Sequence, residues 1–349
     1  MYAVLLLHRR HGRQGVAVQV PGHVQLRRLQ LRHGRLLGRL PGAAAPVRRH
    51  LLRPPRHRLH NSGHGAAAAE PLPAVRRLRL PARRQLRANF ATLASTALPP
   101  NTSLFVTGIS PFSLAIQLRQ MKELSSRAIA SDDASGQLPP PPPPPPPGVL
   151  RDSLYTIDIG QNDFTSNLAS QGIERVKRTL PSVISQISQT IQDLYSIRVR
   201  KFMVFNMAPI GCYPAFLAEL PHSSHDLDEY GCMTSYNSAV VYYNELLNNS
   251  LAKVRKTLQG ASIVYVNKYS VMLELFRHPE DHGLKYGTKA CCGYGGGAYN
   301  FSPDLYCGTS KVVKGNIASA TACGDPQNYV SWDGIHATEA ANNIIASAV

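Results

Sequence analysis

Leu154-Tyr-Thr-Ile-Asp-Ile-Gly-Gln-Asn-Asp163 is the stretch of sequence from which the fold can be worked out. Its first six residues, 154–159, have the apolar and β-branched character of a buried strand, and a glycine and three polar residues follow directly. In sheets of parallel strands, ligands bind beyond the carboxyl ends of the strands. Residues 160–163 are therefore predicted to lie at the edge of a sheet where a site would form.

The pattern repeats along the chain, because runs of strand length alternate with segments that have apolar residues at helical spacing. Further strands are predicted at residues 201–206 and 262–266, and helices at residues 173–195, 236–258 and 338–348. Strands that alternate with helices in this way pair in parallel, and helices cover both faces of the sheet. The sequence thus predicts an α/β fold with a central parallel sheet.

The first 87 residues differ in composition from the rest of this chain of 349 residues. They contain 19 Arg, no Lys and a single acid, Glu70, so their formal charge is +18, whereas the remaining residues carry −1. The segment lacks the Ile and Phe side chains of a tight core and is expected to be disordered. We expect an Arg-rich region at residues 1–87 and a folded domain at residues 88–349, which an extended loop interrupts from Pro139 to Pro147.

The composition of the first region also has an explanation at the level of the gene. Of the 85 residues from 3 to 87, all but Asn61 and Ser62 belong to types that have codons beginning with C or G. Such a set results when a gene with C or G at its wobble positions is read one base out of frame. We interpret residues 1–87 as the product of a displaced reading frame.

Charge and hydropathy exclude several classes of protein. No apolar run approaches the ~20 residues that span a bilayer, so integral membrane association is not expected. The arginines of residues 1–87 have no aromatic side chains interleaved for base stacking, so no nucleic-acid partner is expected. Residues 1–7 are apolar and precede His8, Arg9 and Arg10, which reverses the order of a secretory signal. We therefore expect no intact signal peptide in this chain.

The cysteines favour disulfides over a metal site, since their number is even and they include no C-x-x-C pair. All six lie in the last 140 residues, at Cys212, Cys232, Cys291, Cys292, Cys307 and Cys323. The glycine-rich stretch after Cys292 lacks the Lys-Ser/Thr ending of a phosphate-binding loop, so we interpret it as a disulfide-pinned loop. Three N-glycosylation sequons, at Asn101, Asn248 and Asn300, agree with a secreted glycoprotein.

Two short motifs contain side chains that could carry chemistry. The amide of Asn162, fixed at the end of a strand, could donate to a developing oxyanion, although the motif alone favours an Asx turn that caps the next helix. In Trp332-Asp-Gly-Ile-His336, Asp333 could accept the Nδ1 proton of His336 and make Nε2 a base. The alternative there is an aspartate that caps the last helix beside an incidental histidine.

Five motifs in a fixed order resemble the plant GDSL esterase/lipase family of the SGNH hydrolase superfamily. They are Gly160-Gln-Asn-Asp163, Asn206-Met-Ala-Pro-Ile-Gly-Cys212, Tyr236-Asn237, Ala290-Cys-Cys-Gly293 and Trp332-Asp-Gly-Ile-His336. Asn89-Phe-Ala91 fits the end of a further family block, and residues 102–123 are similar to the branch that holds early-nodulin-like acetylesterases. The resemblance covers about residues 88–349.

The resemblance implies a three-layer α/β/α sandwich of the flavodoxin-like type and an acyl-serine mechanism. His336 would be the base that takes the proton of a serine nucleophile, Asp333 would orient its imidazole, and Asn162 would donate to the oxyanion hole. The implied substrate is a small acyl ester or a lipid, with no cofactor and no metal. The resemblance also implies a secreted protein, which we expect to be a monomer.

The sequence departs from the family at its first two blocks. Residues 1–87 contain no Gly-Asp-Ser, so no nucleophile is identified, and Arg87 takes the place of the glycine in block two. With suitable codons, residues 24–35 read one base later give Phe-Asn-Phe-Gly-Asp-Ser-Asn-Ser-Asp-Thr-Gly, a first block of the family. We expect the N-terminal strand to be missing or disordered, and the chain as written to be poorly stable because exposed strand edges favour aggregation.

Three alternatives remain open for the function, and two for the disulfides. The chain could be the inactive product of a disrupted gene, a non-enzymatic binding scaffold, or an Arg-rich anion-binding module joined to a hydrolase remnant. Cys212 and Cys232 are expected to pair. Because the adjacent Cys291 and Cys292 do not readily bond to each other, each pairs with either Cys307 or Cys323.

Overall fold

The structure, a computed structural model, describes residues 6–9, 88–100, 109–127, 147–313 and 315–349. The chain divides into two units, one of residues 1–23 with 85–349 and one of residues 24–84, and all of the described residues belong to the first. Most of the Arg-rich region, the sequon at Asn101 and most of the proline run lie outside the described residues.

The three predicted strands lie side by side in a four-stranded sheet. The described strands are β1 Leu6–Arg9, β2 Ser153–Ile157, β3 Lys201–Phe205, β4 Ser262–Val266, β5 Tyr286–Ala290, β6 Cys292–Gly293, β7 Ser310–Val313, β8 Asn316–Ser319, β9 Thr321–Ala322 and β10 Tyr329–Ser331. The order in the sheet is β1-β2-β3-β4, and β2, β3 and β4 are parallel, with Leu154 opposite Lys201 and Lys201 opposite Ser262. Their carboxyl ends therefore lie at one edge.

Helices flank the three parallel strands. They are α1 Leu114–Arg127, α2 Pro147–Asp152, α3 Gln161–Thr165, α4 Leu168–Gln171, α5 Ile173–Ser196, α6 Pro214–Glu219, α7 Thr234–Thr257, α8 Lys268–Arg277 and α9 Glu339–Ser347. The two longest, α5 and α7, pack against each other. Both bury apolar residues at helical spacing, which removes their apolar faces from water.

The core forms where the strands and long helices meet. Tyr155 and Phe202 are opposite each other in β2 and β3, are fully buried, and have ring centroids 6.2 Å apart. Leu180 and Ile187 of α5 and Leu247 of α7 are also fully buried. Burying such large side chains supplies most of the free energy that orders the loops at the strand ends.

The predicted elements are confirmed, and their ends agree to within two residues. The structure also contains a strand that was not predicted, because Leu6–Arg9 forms β1 on the outer edge of β2. The expectation that the N-terminal strand of the family is missing or disordered stays a prediction. The strand β1 runs antiparallel, with Leu7 opposite Tyr155, so the sheet is not parallel throughout. The physical reason is that the outer edge of β2 presents unpaired backbone groups that another strand can satisfy.

The segment before the last helix is built from three two-stranded pairs. The strands β5 and β10 are parallel, whereas β6 pairs with β9 and β7 with β8 in antiparallel register. Two disulfides, Cys291–Cys323 and Cys292–Cys307, cross-link residues within this segment. In the part of the chain that the structure describes, no helix has the length and apolar content needed to cross a bilayer.

Candidate active site

Asn162 is placed by a tight turn after β2. Gly160 has a φ of 107°, in the left-handed region, and an added Cβ there would collide with the hydroxyl of Tyr243. That hydroxyl donates to the carbonyl of Ile159 over 2.9 Å and so fixes the end of the strand. Asn162 then lies in the first turn of α3, where it is half-buried and its Nδ2 donates to the carbonyl of Ser95 over 2.7 Å. No side chain caps α3, so the Asx-turn interpretation is wrong here.

Asp163, the next residue, holds a second segment against this turn. Its carboxylate accepts hydrogen bonds from the backbone N–H groups of Ala97 (2.7 Å) and Leu98 (3.0 Å). Burial raises the pKa of Asp163 to about 6, although these hydrogen bonds oppose the shift. The sequence pattern does not distinguish the structural role of the Asp163 carboxylate from the role of the Asn162 amide, since both residues follow the same strand.

Asp333 and His336 form a hydrogen-bonded pair. Asp333 Oδ2 lies 2.6 Å from His336 Nδ1, and Oδ1 accepts from the backbone N–H groups of Ile335 (3.0 Å) and His336 (2.8 Å). Burial alone would raise the pKa of Asp333, but the charge of His336 and the hydrogen bonds outweigh it and lower the pKa to about 2. The helix-capping alternative is wrong, because the N-cap of α9 is Thr338.

The backbone around the pair is held from both sides. Trp332 N–H donates to the carbonyl of His336 over 2.7 Å, which closes the turn. Gly334 N–H donates to Ser331 Oγ over 3.1 Å, and Cys292 N–H donates to the carbonyl of Trp332 over 2.6 Å. Since Cys292 is bonded to Cys307, this hydrogen bond connects the turn to a disulfide.

The turn is also attached to α6, the first α-helix after β3. Ala215 N–H donates to the carbonyl of Gly334 over 3.1 Å, and an added Cβ on Gly334 would run into Phe301. The strand β3 is the neighbour of β2, whose carboxyl end leads into Asn162. Asn162 thus lies in the first α-helix after β2, and the Asp333–His336 turn contacts the first α-helix after β3.

Two asparagines explain why the loop after β3 keeps its shape. Asn237 Oδ1 accepts from Gly211 N–H over 3.0 Å, and Asn244 bonds both the N–H (2.8 Å) and the carbonyl (2.9 Å) of Met207. Both asparagines are on α7 and are buried. The disulfide Cys212–Cys232 closes the same loop, in the expected pairing.

An ion pair at this edge was not predicted. Lys268 Nζ, just after β4, lies 2.7 and 2.6 Å from the two carboxylate oxygens of Asp158, just after β2. The lysine side chain is 8% exposed and that of the aspartate 27%. The pair bridges the ends of two strands that flank β3. Asp158 lies inside the strand predicted at residues 154–159, so the sequence pattern contains no signal that would pair it with Lys268.

The other predicted site residues have these positions. The remaining cysteines pair as Cys291–Cys323 and Cys292–Cys307, which is one of the two open connectivities. Asn248 is exposed on α7, whereas the amide of Asn300 donates to the carbonyl of Ala290 over 2.9 Å. Ser62, Arg87 and residues 24–35 lie outside the described residues, and among the described ones no His, Cys, Asp or Glu cluster could hold a metal ion.

Comparison with known proteins identifies the family of this chain. The family described as GDSL-like Lipase/Acylhydrolase matches residues 55–349, so the match begins within the Arg-rich region. The chain is 56% identical to GDSL esterase/lipase At4g01130 of Arabidopsis thaliana over 262 residues, which is 75% of this chain and 68% of that protein. It is 36% identical to Alpha-L-fucosidase 3 of Arabidopsis thaliana, over 74% of this chain and 69% of that protein.

The early-nodulin branch is represented by GDSL esterase/lipase ENOD8 of Medicago truncatula. The identity is 36%, over 75% of this chain and 67% of that protein, which is lower than the identity to At4g01130. The comparisons therefore establish the family and do not favour the nodulin-like branch within it. The chain belongs to the plant GDSL esterase/lipase family of carboxylic ester hydrolases.

Proposed function

We propose that Asn162, Asp333 and His336 form the site of an esterase that works through an acyl-serine intermediate. The observation that carries the proposal is the 2.6 Å contact between Asp333 Oδ2 and His336 Nδ1. A carboxylate in this position keeps the proton on Nδ1 and stabilises the imidazolium that forms when Nε2 takes a proton. The low pKa of Asp333 keeps this carboxylate ionised throughout the working range of a histidine base.

In the proposed reaction, His336 takes the proton of a serine hydroxyl as the oxygen attacks the carbonyl carbon of an ester. The carbonyl oxygen becomes an oxyanion, to which the amide of Asn162 donates. One Nδ2 hydrogen is engaged by Ser95, and the amide has a second. His336 then protonates the leaving alcohol, and water releases the acyl group by the same steps in reverse order. An oxyanion donor of this type is worth about 3 kcal/mol in the barrier.

The nucleophile is proposed to belong to a Gly-Asp-Ser block that the displaced reading frame removes from residues 1–87. The chain as written then holds the base, the orienting carboxylate and the amide donor without their serine. This makes an inactive scaffold the second candidate, and the absence of Gly-Asp-Ser from the sequence is the observation that favours it. Small acyl esters or lipids are the proposed substrates.

Hydrolysis of p-nitrophenyl acetate by a chain in which the Gly-Asp-Ser block is restored tests the proposal, and the chain as written, which lacks that block, should show no turnover. An active site built on His336 predicts turnover that His336→Ala abolishes, while His225→Ala, a change of an exposed histidine, leaves it unchanged. A fluorophosphonate probe, mapped by mass spectrometry, identifies any activated serine. A restored chain that neither turns over the ester nor takes the label supports the inactive scaffold, and turnover that survives His336→Ala contradicts the proposed base.

The finer features of the family are proposed along with the activity. We propose a complete three-layer α/β/α sandwich of flavodoxin-like topology, a secreted glycoprotein and a monomer. The three disulfides support an oxidising compartment, since cytosolic proteins rarely keep such bonds. Size-exclusion chromatography with light scattering tests whether the protein is a monomer, because the measured mass of a dimer would be twice that of a single chain.

A further inference from the structure

A cavity at the end of the sheet where the parallel strands begin is lined by three arginines. Its volume is about 450 Å³, and the lining residues are Gly148, Arg151, Arg198 and Arg200. Arg151 belongs to α2, which leads into β2, and Arg198 and Arg200 lie between α5 and β3. Because β2 and β3 are parallel, the cavity lies at their amino ends, away from Asn162 and His336.

The register of the two strands explains why the arginines meet. Leu154 of β2 is opposite Lys201 of β3, and Arg151 and Arg198 each precede these residues by three positions. The two lead-in segments therefore bring their arginines to the same edge of the sheet. Gly148 adds no side chain to the cavity wall, and an added Cβ there would meet no atom within 4 Å.

The positive charge of the cavity is not compensated by nearby carboxylates. Within the described part of the chain, no Asp or Glu oxygen comes within 4.0 Å of any of the three guanidinium groups. The nearest acid in sequence, Asp152, is exposed and accepts a bond from Lys201 Nζ through its backbone carbonyl. Like charges held around one cavity repel each other, so an anion that enters it relieves this repulsion.

Arg200 is oriented before any ligand arrives. Its Nη1 donates to the carbonyls of Tyr195 (2.9 Å) and Val199 (2.8 Å), and its guanidinium stacks 3.8 Å from the centre of the Tyr195 ring. These contacts use the donors of one nitrogen and leave the N–H groups of Nε and Nη2 for an oxyanion. A fixed guanidinium loses less entropy when it binds than a mobile one.

Arg198 occupies a backbone conformation that favours glycine. Its φ is 75°, at the position after the end of α5 where glycine is the common residue. The side chain is exposed, and among the described residues it has no hydrogen bond, ion pair or ring contact that would explain an arginine at this position. Strain of this kind is often kept where a side chain has a function.

We propose that this arginine cavity binds a phosphate-type oxyanion, either a free phosphate group or the phosphate headgroup of a lipid. Guanidinium groups bind such oxyanions through paired N–H donors, and three of them suit a dianion. The site does not depend on the proposed esterase activity, because it shares no residue with it and lies at the other edge of the sheet.

Protection of arginines from phenylglyoxal, mapped peptide by peptide by mass spectrometry on the full chain, tests the proposal. Inorganic phosphate should slow modification of Arg151 and Arg200 by about tenfold more than that of Arg178, an exposed arginine of α5. Mapping by peptide keeps these residues separate from the 19 arginines of residues 1–87. Equal protection of Arg151, Arg200 and Arg178 would overturn the proposal.

A variant series isolates the cavity from general charge. Arg198→Gly should raise the phosphate concentration for half-protection of Arg151 and Arg200 by about tenfold, whereas the matched control Arg178→Ala should leave it unchanged. Arg151→Met is a second variant and should weaken protection of Arg200 in the same way. An unchanged half-protection in both cavity variants would overturn the proposal.

The same assay distinguishes the two sources of phosphate. Vesicles of phosphatidylcholine with phosphatidic acid are compared with inorganic phosphate at equal phosphate concentration, with pure phosphatidylcholine as the control. Stronger protection by the phosphatidic acid vesicles supports a lipid headgroup, and stronger protection by inorganic phosphate supports a free phosphate. Protection by neither would overturn the oxyanion site.

Discussion

Asp333 and Asp163 are both buried carboxylates at the candidate site, yet their surroundings move their pKa values in opposite directions. Asp333 accepts three hydrogen bonds and faces the charge of His336, so its pKa falls to about 2. Asp163 has only backbone donors and no opposite charge, so burial dominates and its pKa rises to about 6. The first carboxylate is suited to remain ionised beside a base, whereas the second holds a loop.

Because the pKa of Asp333 is low, the stability that its carboxylate contributes to the fold depends on pH and is lost in acid. Its value falls from 3.8 in the unfolded chain to about 2 in the folded one, so the ionised carboxylate stabilises the fold by about 2 kcal/mol above pH 4. This contribution is lost as the pH falls through 2. Asp333→Asn should therefore be less stable than the parent chain at pH 5, and the gap should narrow by about 2 kcal/mol at pH 2.

Urea unfolding of both proteins between pH 2 and pH 6 measures this gap. The part of the difference that does not change with pH reports the lost hydrogen bonds to Ile335 and His336. A gap that stays constant over the whole range would contradict the low pKa.

Asp163 should show the opposite dependence. Its pKa in the folded chain, about 6, lies above the unfolded value of 3.8, so folding favours the protonated form. The resulting contribution of about 3 kcal/mol is present below pH 4 and is lost as the pH rises through 6. Asp163→Asn removes the titration, so its stability relative to the parent chain should improve by about this amount between pH 4 and pH 7.

Urea unfolding between pH 4 and pH 7 reads out the Asp163 variant, with Asp193→Asn as the control. Asp193 is partly exposed and its contact with Lys122 is at the surface, so that variant should have nearly the same free energy of unfolding as the parent chain. If Asp163→Asn loses stability relative to the parent chain as the pH rises, the raised pKa is wrong.

At the scale of elements, the disulfide-joined segment before β10 positions the Asp333–His336 turn. Cys292–Cys307 spans 15 residues and Cys291–Cys323 spans 32. Loop-closure entropy predicts contributions of about 3 and about 4 kcal/mol for the two bonds. Because Cys291 N–H also donates to the carbonyl of Ser331, loss of its disulfide loosens the strand that leads into the turn.

The double variants Cys292→Ser/Cys307→Ser and Cys291→Ser/Cys323→Ser test this order by urea unfolding. We expect the second to lower the free energy of unfolding by about 1 kcal/mol more than the first. Equal stability of both double variants and the parent chain would show that the segment is held by its packing alone.

At the end of α5, a substitution is expected to stabilise the fold, in contrast to the cysteine variants, which should destabilise it. Val199 N–H donates to the carbonyl of Leu194 and Arg198 N–H to that of Tyr195, the bonds of a Schellman motif. With a φ of 75° at Arg198, Arg198→Gly should raise the free energy of unfolding by about 1 kcal/mol, because only glycine adopts this conformation without strain.

Arg198→Ala is the matched control, since it removes the guanidinium but keeps a Cβ. Its stability should equal that of the parent chain within about 0.5 kcal/mol. Equal stabilisation by glycine and alanine would assign the effect to the charge and contradict the backbone argument.

The same elements show how far sequence reasoning reaches. Strands such as Ser262–Val266 and helices such as Ile173–Ser196 were predictable because their apolar periodicity reports burial directly. The strand Leu6–Arg9 was not, since its pairing depends on which edge of the sheet is unoccupied. The Asp333–His336 pair could be predicted because its members are three residues apart, whereas Asp158 and Lys268 are 110 residues apart and meet only through the sheet.

For the whole molecule, the two edges of the sheet carry opposite chemistry. The carboxyl end of β2 leads into the carboxylates of Asp158 and Asp163, while the amino ends of β2 and β3 gather arginines around a cavity. The formal charge of residues 88–349 is only −1, so this separation comes from topology and not from an excess of either charge. Parallel strands produce it because all of their ends of one kind lie together.

The reading-frame interpretation makes the last prediction, which concerns the chain as a unit. Sequencing the transcript across the codons for residues 1–90 should reveal Gly-Asp-Ser in an overlapping frame near the codons for residues 24–35. A chain expressed from that frame and joined to residues 88–349 should hydrolyse p-nitrophenyl acetate, because it supplies the serine that the proposed mechanism requires beside His336 and Asn162. Either His336→Ala or the replacement of the block serine by alanine should abolish this turnover.

The chain as written is the control for that experiment. It holds the same Asp333 and His336 but lacks the block, so its turnover should lie at the level of the serine-to-alanine variant. A serine nucleophile with its base typically accelerates acyl transfer by several orders of magnitude, so the expected difference is easily measured. If the restored chain is folded and inactive, or if the transcript holds no second frame with Gly-Asp-Ser, the displaced block is not the missing nucleophile and the inactive scaffold is the better account of this molecule.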